Sequence, residues 1–324
     1  MTKWLRRFSY FLLGLIVLLH AVPYVFSVSS PDEYEPETPF TESQYETIEG
    51  VLIHYRLWAP DPLQPRGKVL LVHGLAGSTF SWRHNVEALR QAGFLVVAAD
   101  LPGFGYSDRQ LGMDHSQQTR SIQLWQLLDT VDRDLQEPLQ SEGWFLVGHS
   151  MGGGTAAAMA LERQQQSSGL VLVAGALSEN NNRSAGEFFL AYPPLQRWIQ
   201  VVMEEIAFQP ERIRGFLASA YGRTPTDDEL TGYLLPLLQP GTPLTLIDLI
   251  STAENEPLSS MKSLQIPVMG LWGESDSWVP REEGEKLLDV IPNMKLTIIP
   301  EAAHCPMETH PDLFNEELIA FLEQ

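Results

Sequence analysis

Gly148-His149-Ser150-Met151-Gly152 is a Gly-x-Ser-x-Gly run, and its serine is a candidate nucleophile. The run follows the apolar stretch Trp144-Phe145-Leu146-Val147 and leads into Gly153-Gly154-Thr155-Ala156-Ala157-Ala158, a small-residue helical pattern. A serine on such a strand-to-helix turn holds its hydroxyl clear of the backbone. The glycines leave room where side chains would collide, and the helix N-terminus aims free amides at the site. The chemistry this suits is attack on a carbonyl. A serine hydroxyl is a weak nucleophile and needs an adjacent base. His304 follows the apolar run Leu296-Thr297-Ile298-Ile299 by a few residues, so it emerges at the same sheet edge. Among the other histidines, His54 falls inside a strand, His149 inside the turn, and His310 at the start of the last helix. The base in turn needs a carboxylate to fix its tautomer and stabilise the imidazolium. Asp276, in Trp272-Gly273-Glu274-Ser275-Asp276, is that candidate, with Glu274 as a solvated neighbour and Glu179 as the other possible acid. An oxyanion needs two backbone N–H donors. Met151, directly after the serine, supplies one. Leu75, in His73-Gly74-Leu75-Ala76-Gly77 after an early apolar run, is the candidate for the other.

These residues require a scaffold that brings strand ends together. Val51–Trp58, Lys68–Val72, Phe94–Ala99, Trp144–Val147, Leu170–Ala174, Val268–Trp272 and Leu296–Ile299 read as strands, most of them continuous apolar runs buried on both faces. Amphipathic stretches of helical length lie near 81–92, 116–135, 151–165, 280–291 and 311–323. Strands separated by helices predict an α/β fold, a mostly parallel central sheet with helices on both faces, whose ligands sit at the carboxyl ends of the strands. Residues 178–263 break the alternation with proline-punctuated helical patterns such as Gly186–Phe208 and Glu211–Tyr221, and so read as a helical insertion over the sheet edge.

The chain has 324 residues, 44 % of them hydrophobic, and a formal net charge of −20. It can bury a core, and its acidity argues against a nucleic-acid partner. One cysteine, Cys305, rules out an intrachain disulfide framework and a cysteine-rich zinc site. No metal-ligand spacing or phosphate loop is present, so no cofactor and no metal are expected. Residues 1–7 carry Lys3, Arg6 and Arg7, and Phe8–Val28 has no charged residue. That length predicts a transmembrane anchor over 8–28, or alternatively a cleaved signal peptide. The basic flank would keep residues 1–7 cytoplasmic and put the catalytic domain on the non-cytoplasmic side, either anchored to the membrane or secreted. Residues 29–43 read as an acidic tether, and 44–324 as the catalytic domain.

Taken together, the chain resembles the α/β-hydrolase superfamily, in its lid-bearing esterase, lipase and C–C hydrolase branch. The resemblance rests on His73-Gly74-Leu75-Ala76-Gly77, Asp100-Leu101-Pro102-Gly103-Phe104-Gly105-Tyr106-Ser107-Asp108, Gly148–Gly153, Trp272–Asp276 and His304, and on the order Ser150, Asp276, His304. It implies that the Asp100–Asp108 loop is structural and borders the pocket. It also implies that the helical insertion is a lid, whose Phe188, Phe189, Leu190, Tyr192, Trp198 and Ile199 line an apolar entrance or form the lid's own core. A serine at the elbow, where epoxide hydrolases and haloalkane dehalogenases carry aspartate, points to hydrolysis of an ester through an acyl-enzyme. The substrate expected is a small-molecule or lipid-like ester with an apolar part. A C–C bond hydrolase or acyltransferase using the same triad is the alternative within enzymes. A non-catalytic binding protein on the same scaffold is the alternative outside them. The oligomeric state is not legible.

Overall fold

The computed structural model describes residues 3–60, 66–135, 142–177 and 190–324. Strands β1 (Ser43–Ile48), β2 (Val51–Trp58), β3 (Gly67–Val72), β4 (Phe94–Ala99), β5 (Trp144–His149), β6 (Ser167–Val173), β7 (Val268–Gly273) and β8 (Lys295–Ile299) form one sheet in the order β1-β2-β4-β3-β5-β6-β7-β8. The pairs β1/β2 and β2/β4 are antiparallel, and every pair from β4/β3 to β7/β8 is parallel. The chain reverses its winding direction after β4, when β5 joins the sheet on the other side of β3. That reversal opens a crevice at the carboxyl ends of the strands.

The apolar runs explain the layers. In β3 every residue is buried: Leu70 and Val72 face one core, Val69 and Leu71 the other. The first core is closed by helices α3 (Gln117–Arg133) and α4 (Met151–Glu162), through Leu124, Leu128, Ala156 and Met159. The second is closed by α2 (Val86–Gln91) and the C-terminal helix Pro311–Leu322, through Leu89, Phe314 and Leu318. Between β6 and β7 the described residues are helical: α5 (Pro193–Val202) running into a π-helical turn, α6 (Pro210–Tyr221), α7 (Asp227–Leu237) and α8 (Thr242–Thr252). Helices α9 (Arg281–Leu288), α10 (Pro306–Thr309) and α11 (Pro311–Leu322) follow.

The N-terminal segment corrects the sequence reading. Helix α1 (Lys3–His20) starts within the basic residues and ends at His20, well before Val28, and Pro23 enters a separate 3-10 turn. The helix therefore includes Lys3, Arg6 and Arg7, and only Phe8–His20 is free of charge, about 20 Å of helix at 1.5 Å per residue. A hydrocarbon core of roughly 30 Å needs about 20 apolar residues. Among the described residues no helix is long and apolar enough to cross a membrane. That finding overturns the transmembrane anchor over 8–28, and the localisation read from it does not stand. Residues 22–34 lie against the helical insertion instead. The Arg197 guanidinium donates to the carbonyls of Pro23 and Phe26, and the Ser29 amide and hydroxyl donate to the Glu204 carboxylate.

Candidate active site

Ser150 sits between β5 and α4 with φ 51° and ψ −117°, a backbone conformation rarely adopted by L-residues. The glycines around it are required by close approach. A Cβ on Gly148 would lie 2.2 Å from the Gly152 carbonyl oxygen, and one on Gly152 would lie 2.4 Å from that of His73. Helix α4 is thus pressed against the ends of β3 and β5, and the serine is held at the apex. The backbone carbonyl of Ser150 accepts from Gly153 and Ala176, and its amide donates to Val173, which pins the turn on both sides.

His304 and Asp276 arrive from the loops after β8 and β7. Nδ1 of His304 is 2.8 Å from Oδ2 of Asp276, and both side chains are buried. Asp276 Oδ1 accepts from the amides of Trp278 and Val279 at 2.8 and 3.0 Å, so the carboxylate is oriented by its own loop. Two rings lie against the imidazole. The Trp278 indole stacks on it with centroids 5.3 Å apart and planes 25° apart, and the His149 ring lies 4.7 Å away on a tilted plane. His149 Nε2 donates to the His304 carbonyl at 2.9 Å. Burial and the neighbouring His304 push the His149 pKa well down, so this ring is a neutral prop. No hydrogen bond joins Ser150 Oγ to His304 in this structure.

Leu75 lines the cleft that holds Ser150, and Met151 directly follows the serine. Met151 is the first residue of α4, where an amide has no intrahelical acceptor. The loop carrying Leu75 touches the elbow: a Cβ on Gly74 would be 2.8 Å from His149 Nδ1 and 3.1 Å from Ser150 Cβ. His73 holds that loop in place. Its Nδ1 donates to the Gly74 carbonyl at 2.7 Å, and its Nε2 accepts from the Leu101 amide at 3.0 Å. Both nitrogens are thereby committed to the neutral form, and burial lowers the His73 pKa accordingly. Asp100 plays a matching structural part. It accepts from the His54 ring at 2.7 Å, the Thr79 amide at 2.6 Å and the Tyr106 amide at 2.8 Å.

The remaining wall comes from the helical insertion. A cleft of about 100 Å³ is lined by Leu75, Ser81, Ser150, His304 and Cys305, by Phe216, Leu217, Ala220 and Tyr233 of the insertion, and by Trp278 of the loop after β7. Leu190, Tyr192, Trp198 and Ile199, the described candidates for an apolar entrance, do not line it. Phe188, Phe189 and Glu179 lie outside the described residues. The insertion is fastened by a buried carboxylate that the sequence did not single out. Glu308, four residues after His304, accepts from the Arg83 guanidinium, from the Tyr221 hydroxyl at 2.6 Å and from the Tyr233 hydroxyl. Burial and the Glu308 charge push both tyrosine pKa values up, so each phenol keeps its proton. Arg109, whose pKa burial lowers to about 10, forms a second fastening through the Pro236 carbonyl and Thr242. Among the described residues no group of His, Cys, Asp or Glu could hold a metal ion.

The family model for serine aminopeptidase, S33, matches residues 63–310, well over half of the chain. The chain belongs to this family of α/β hydrolases. Its relatives do different chemistry. A 2-hydroxy-6-oxononadienedioate/2-hydroxy-6-oxononatrienedioate hydrolase of Cupriavidus pinatubonensis is 25 % identical, over 86 % of this chain and 95 % of its own. A pimeloyl-[acyl-carrier protein] methyl ester esterase of Vibrio parahaemolyticus is 26 % identical, over 79 % of this chain and 94 % of its own. Among solved structures, a bromoperoxidase from Bacillus anthracis superposes with a TM-score of 0.68 at 25 % identity, over 87 % of this chain and all of that one. The S33 hydrolase described here thus has the family's mostly parallel sheet with helices around it.

Proposed function

We propose that this hydrolase cleaves neutral carboxylic esters through an acyl-enzyme on Ser150. The observation that carries the reading is the His304–Asp276 pair. With Nδ1 bound to a buried carboxylate, Nε2 is the nitrogen left to take a proton, and it belongs to the cleft that holds the strained Ser150. His304 removes the Ser150 proton as Oγ bonds to the ester carbonyl carbon. The carbonyl becomes an oxyanion held by the Leu75 and Met151 amides. Collapse expels the alcohol, which takes the proton back from His304. Water activated by the same ring then releases the acid. The Ser150–His304 hydrogen bond forms with substrate in place, as catalytic contacts commonly tighten on binding.

The cleft lining favours an uncharged substrate. Its described residues include no lysine or arginine. The dioate substrates named for the Cupriavidus relative carry two carboxylates, which such a lining would strip of water without a cation in exchange. The methyl ester named for the Vibrio relative presents a neutral group at the bond broken. The insertion acts as a lid, and Phe216, Leu217, Ala220 and Tyr233 press on the acyl or alcohol part. The test is Ser150→Ala. It should lower kcat/KM for short-chain esters by several orders of magnitude and abolish labelling by a fluorophosphonate. Activity near wild type in that variant would overturn the assignment.

A further inference from the structure

Beside Ser150 and the two imidazoles, the cleft carries two further hydroxyls, those of Ser81 and Tyr233, and their protons can be traced. Ser81 Oγ is 3.0 Å from Tyr233 Oη, and Tyr233 in turn reaches Glu308. The Glu308 carboxylate, paired with Arg83, only accepts. Tyr233 has one proton and gives it to Glu308. The Ser81–Tyr233 bond therefore runs from Ser81 to Tyr233. Ser81 spends its only proton there, and among the described residues its oxygen accepts no hydrogen bond. It is 1 % exposed, lines the cleft beside Ser150, and packs under the oxyanion loop, where a Cβ on Gly77 would be 3.1 Å from its Oγ. What the cleft offers a substrate at this point is a lone pair with no proton. A buried acceptor left unpaired costs free energy, and a substrate that fills it recovers that cost.

We infer that the site selects esters bearing a neutral hydrogen-bond donor, a hydroxyl or amide N–H, close to the scissile carbonyl, and that Ser81 reads it. The inference rests on the ester reading above and narrows its substrate class. An ester whose oxygen at that place is an ether, which only accepts, meets the Ser81 lone pair with its own and is disfavoured.

The experiment compares two matched trios of esters by kcat/KM. The acyl trio is the methyl esters of β-hydroxybutyrate, β-methoxybutyrate and butyrate. The alcohol trio is the butyrate esters of ethylene glycol, its monomethyl ether and propanol. In one trio the hydroxyl member should lead both others by about ten-fold, the value of one good hydrogen bond. Ser81→Ala should level that trio. Tyr233→Phe leaves the Ser81 oxygen in place and frees its proton, so the methoxy member should rise to match the hydroxyl member. Fluorophosphonate labelling of each variant reports an intact Ser150 site. If Ser81→Ala fails to label, the wild-type trios and Tyr233→Phe decide. Flat trios in the wild type would overturn the inference. So would a hydroxyl preference that survives Ser81→Ala, or a methoxy ester still rejected by Tyr233→Phe. A wild-type enzyme that hydrolyses none of the six esters would overturn the ester reading itself.

Discussion

At the scale of single residues, the site depends on where each proton sits. Asp276 is bound so that one oxygen faces the Trp278 and Val279 amides and the other faces His304 Nδ1. Asp276→Asn preserves this shape but turns an acceptor into a donor, either toward the two amides or toward Nδ1. If the amide nitrogen faces His304, Nδ1 must accept, and Nε2 then carries the proton it should receive from Ser150. The expected outcome is a fall in kcat of about 10⁴ with the fold intact, the size seen where a triad acid is replaced this way; a fall below ten-fold would remove Asp276 from the role of acid. Asp276 and His304 could be proposed from the sequence because each lies just past an apolar run and because their order after Ser150 separates them from other acids and histidines, and the structure brings the two side chains within hydrogen-bond distance. Ser81, Tyr233 and Glu308 were not legible. Each is an ordinary residue in its own segment, and their relation exists only because the fold joins positions 81, 233 and 308.

At the scale of elements, Trp278 joins the loop after β7, which carries Asp276, to the insertion. Its ring stacks on His304, its Nε1 donates to Ser219 of α6 at 2.9 Å, and Phe216 of the same helix meets it edge-on at 4.7 Å. The stack on His304 and the bond to Ser219 do different work. In the proposed mechanism the stack orients the base His304, whereas the Ser219 bond sets how α6 lies over the cleft. Trp278→Phe and Ser219→Ala both remove only the second, so both should raise KM a few-fold and leave kcat within about two-fold. Trp278→Ala removes both, and kcat should fall about ten-fold as well. Steady-state kinetics on the three variants checks this, and equal kcat in all three would assign the indole to the insertion alone. The same scale shows why some elements escaped sequence reading. Strand β1, Ser-Gln-Tyr-Glu-Thr-Ile, is a half-exposed edge strand without an apolar run, and it pairs only with β2. The uncharged stretch 8–28 does not form one continuous helix, because α1 ends at His20 and Pro23 enters a separate turn. The strands of the parallel sheet, buried on both faces, left the clearest signal.

At the scale of the whole molecule, the buried histidines link stability to pH. His73, His115 and His149 come from three different segments, and all are held neutral. Burial is the first cause in each case, with Arg120 adding to it beside His115 and His304 beside His149. The His115 pKa falls to about 3, against 6.5 for an unperturbed ring. When pH drops below 6.5, the unfolded chain takes up protons on these rings and the folded chain does not. The unfolded state then binds more protons, so unfolding becomes easier as pH falls, and for His115 this continues down to about pH 3. Each such ring adds about 1.4 kcal/mol of lost stability per pH unit once the solution is well below the unfolded value. The acidic surface, with a net charge of −20, acts in the opposite sense, because protonation of exposed carboxylates relieves self-repulsion. That relief comes mainly near pH 4, the range of free carboxylates, so the histidines dominate between about pH 6.5 and 5. Urea midpoints measured across that interval should fall steadily. His115→Gln, which cannot ionise, should have a slope shallower by about one proton's worth. Midpoints that stay level between pH 7 and 5 would mean that the rings titrate alike in the folded and unfolded chains, and that the burial seen here does not hold them neutral.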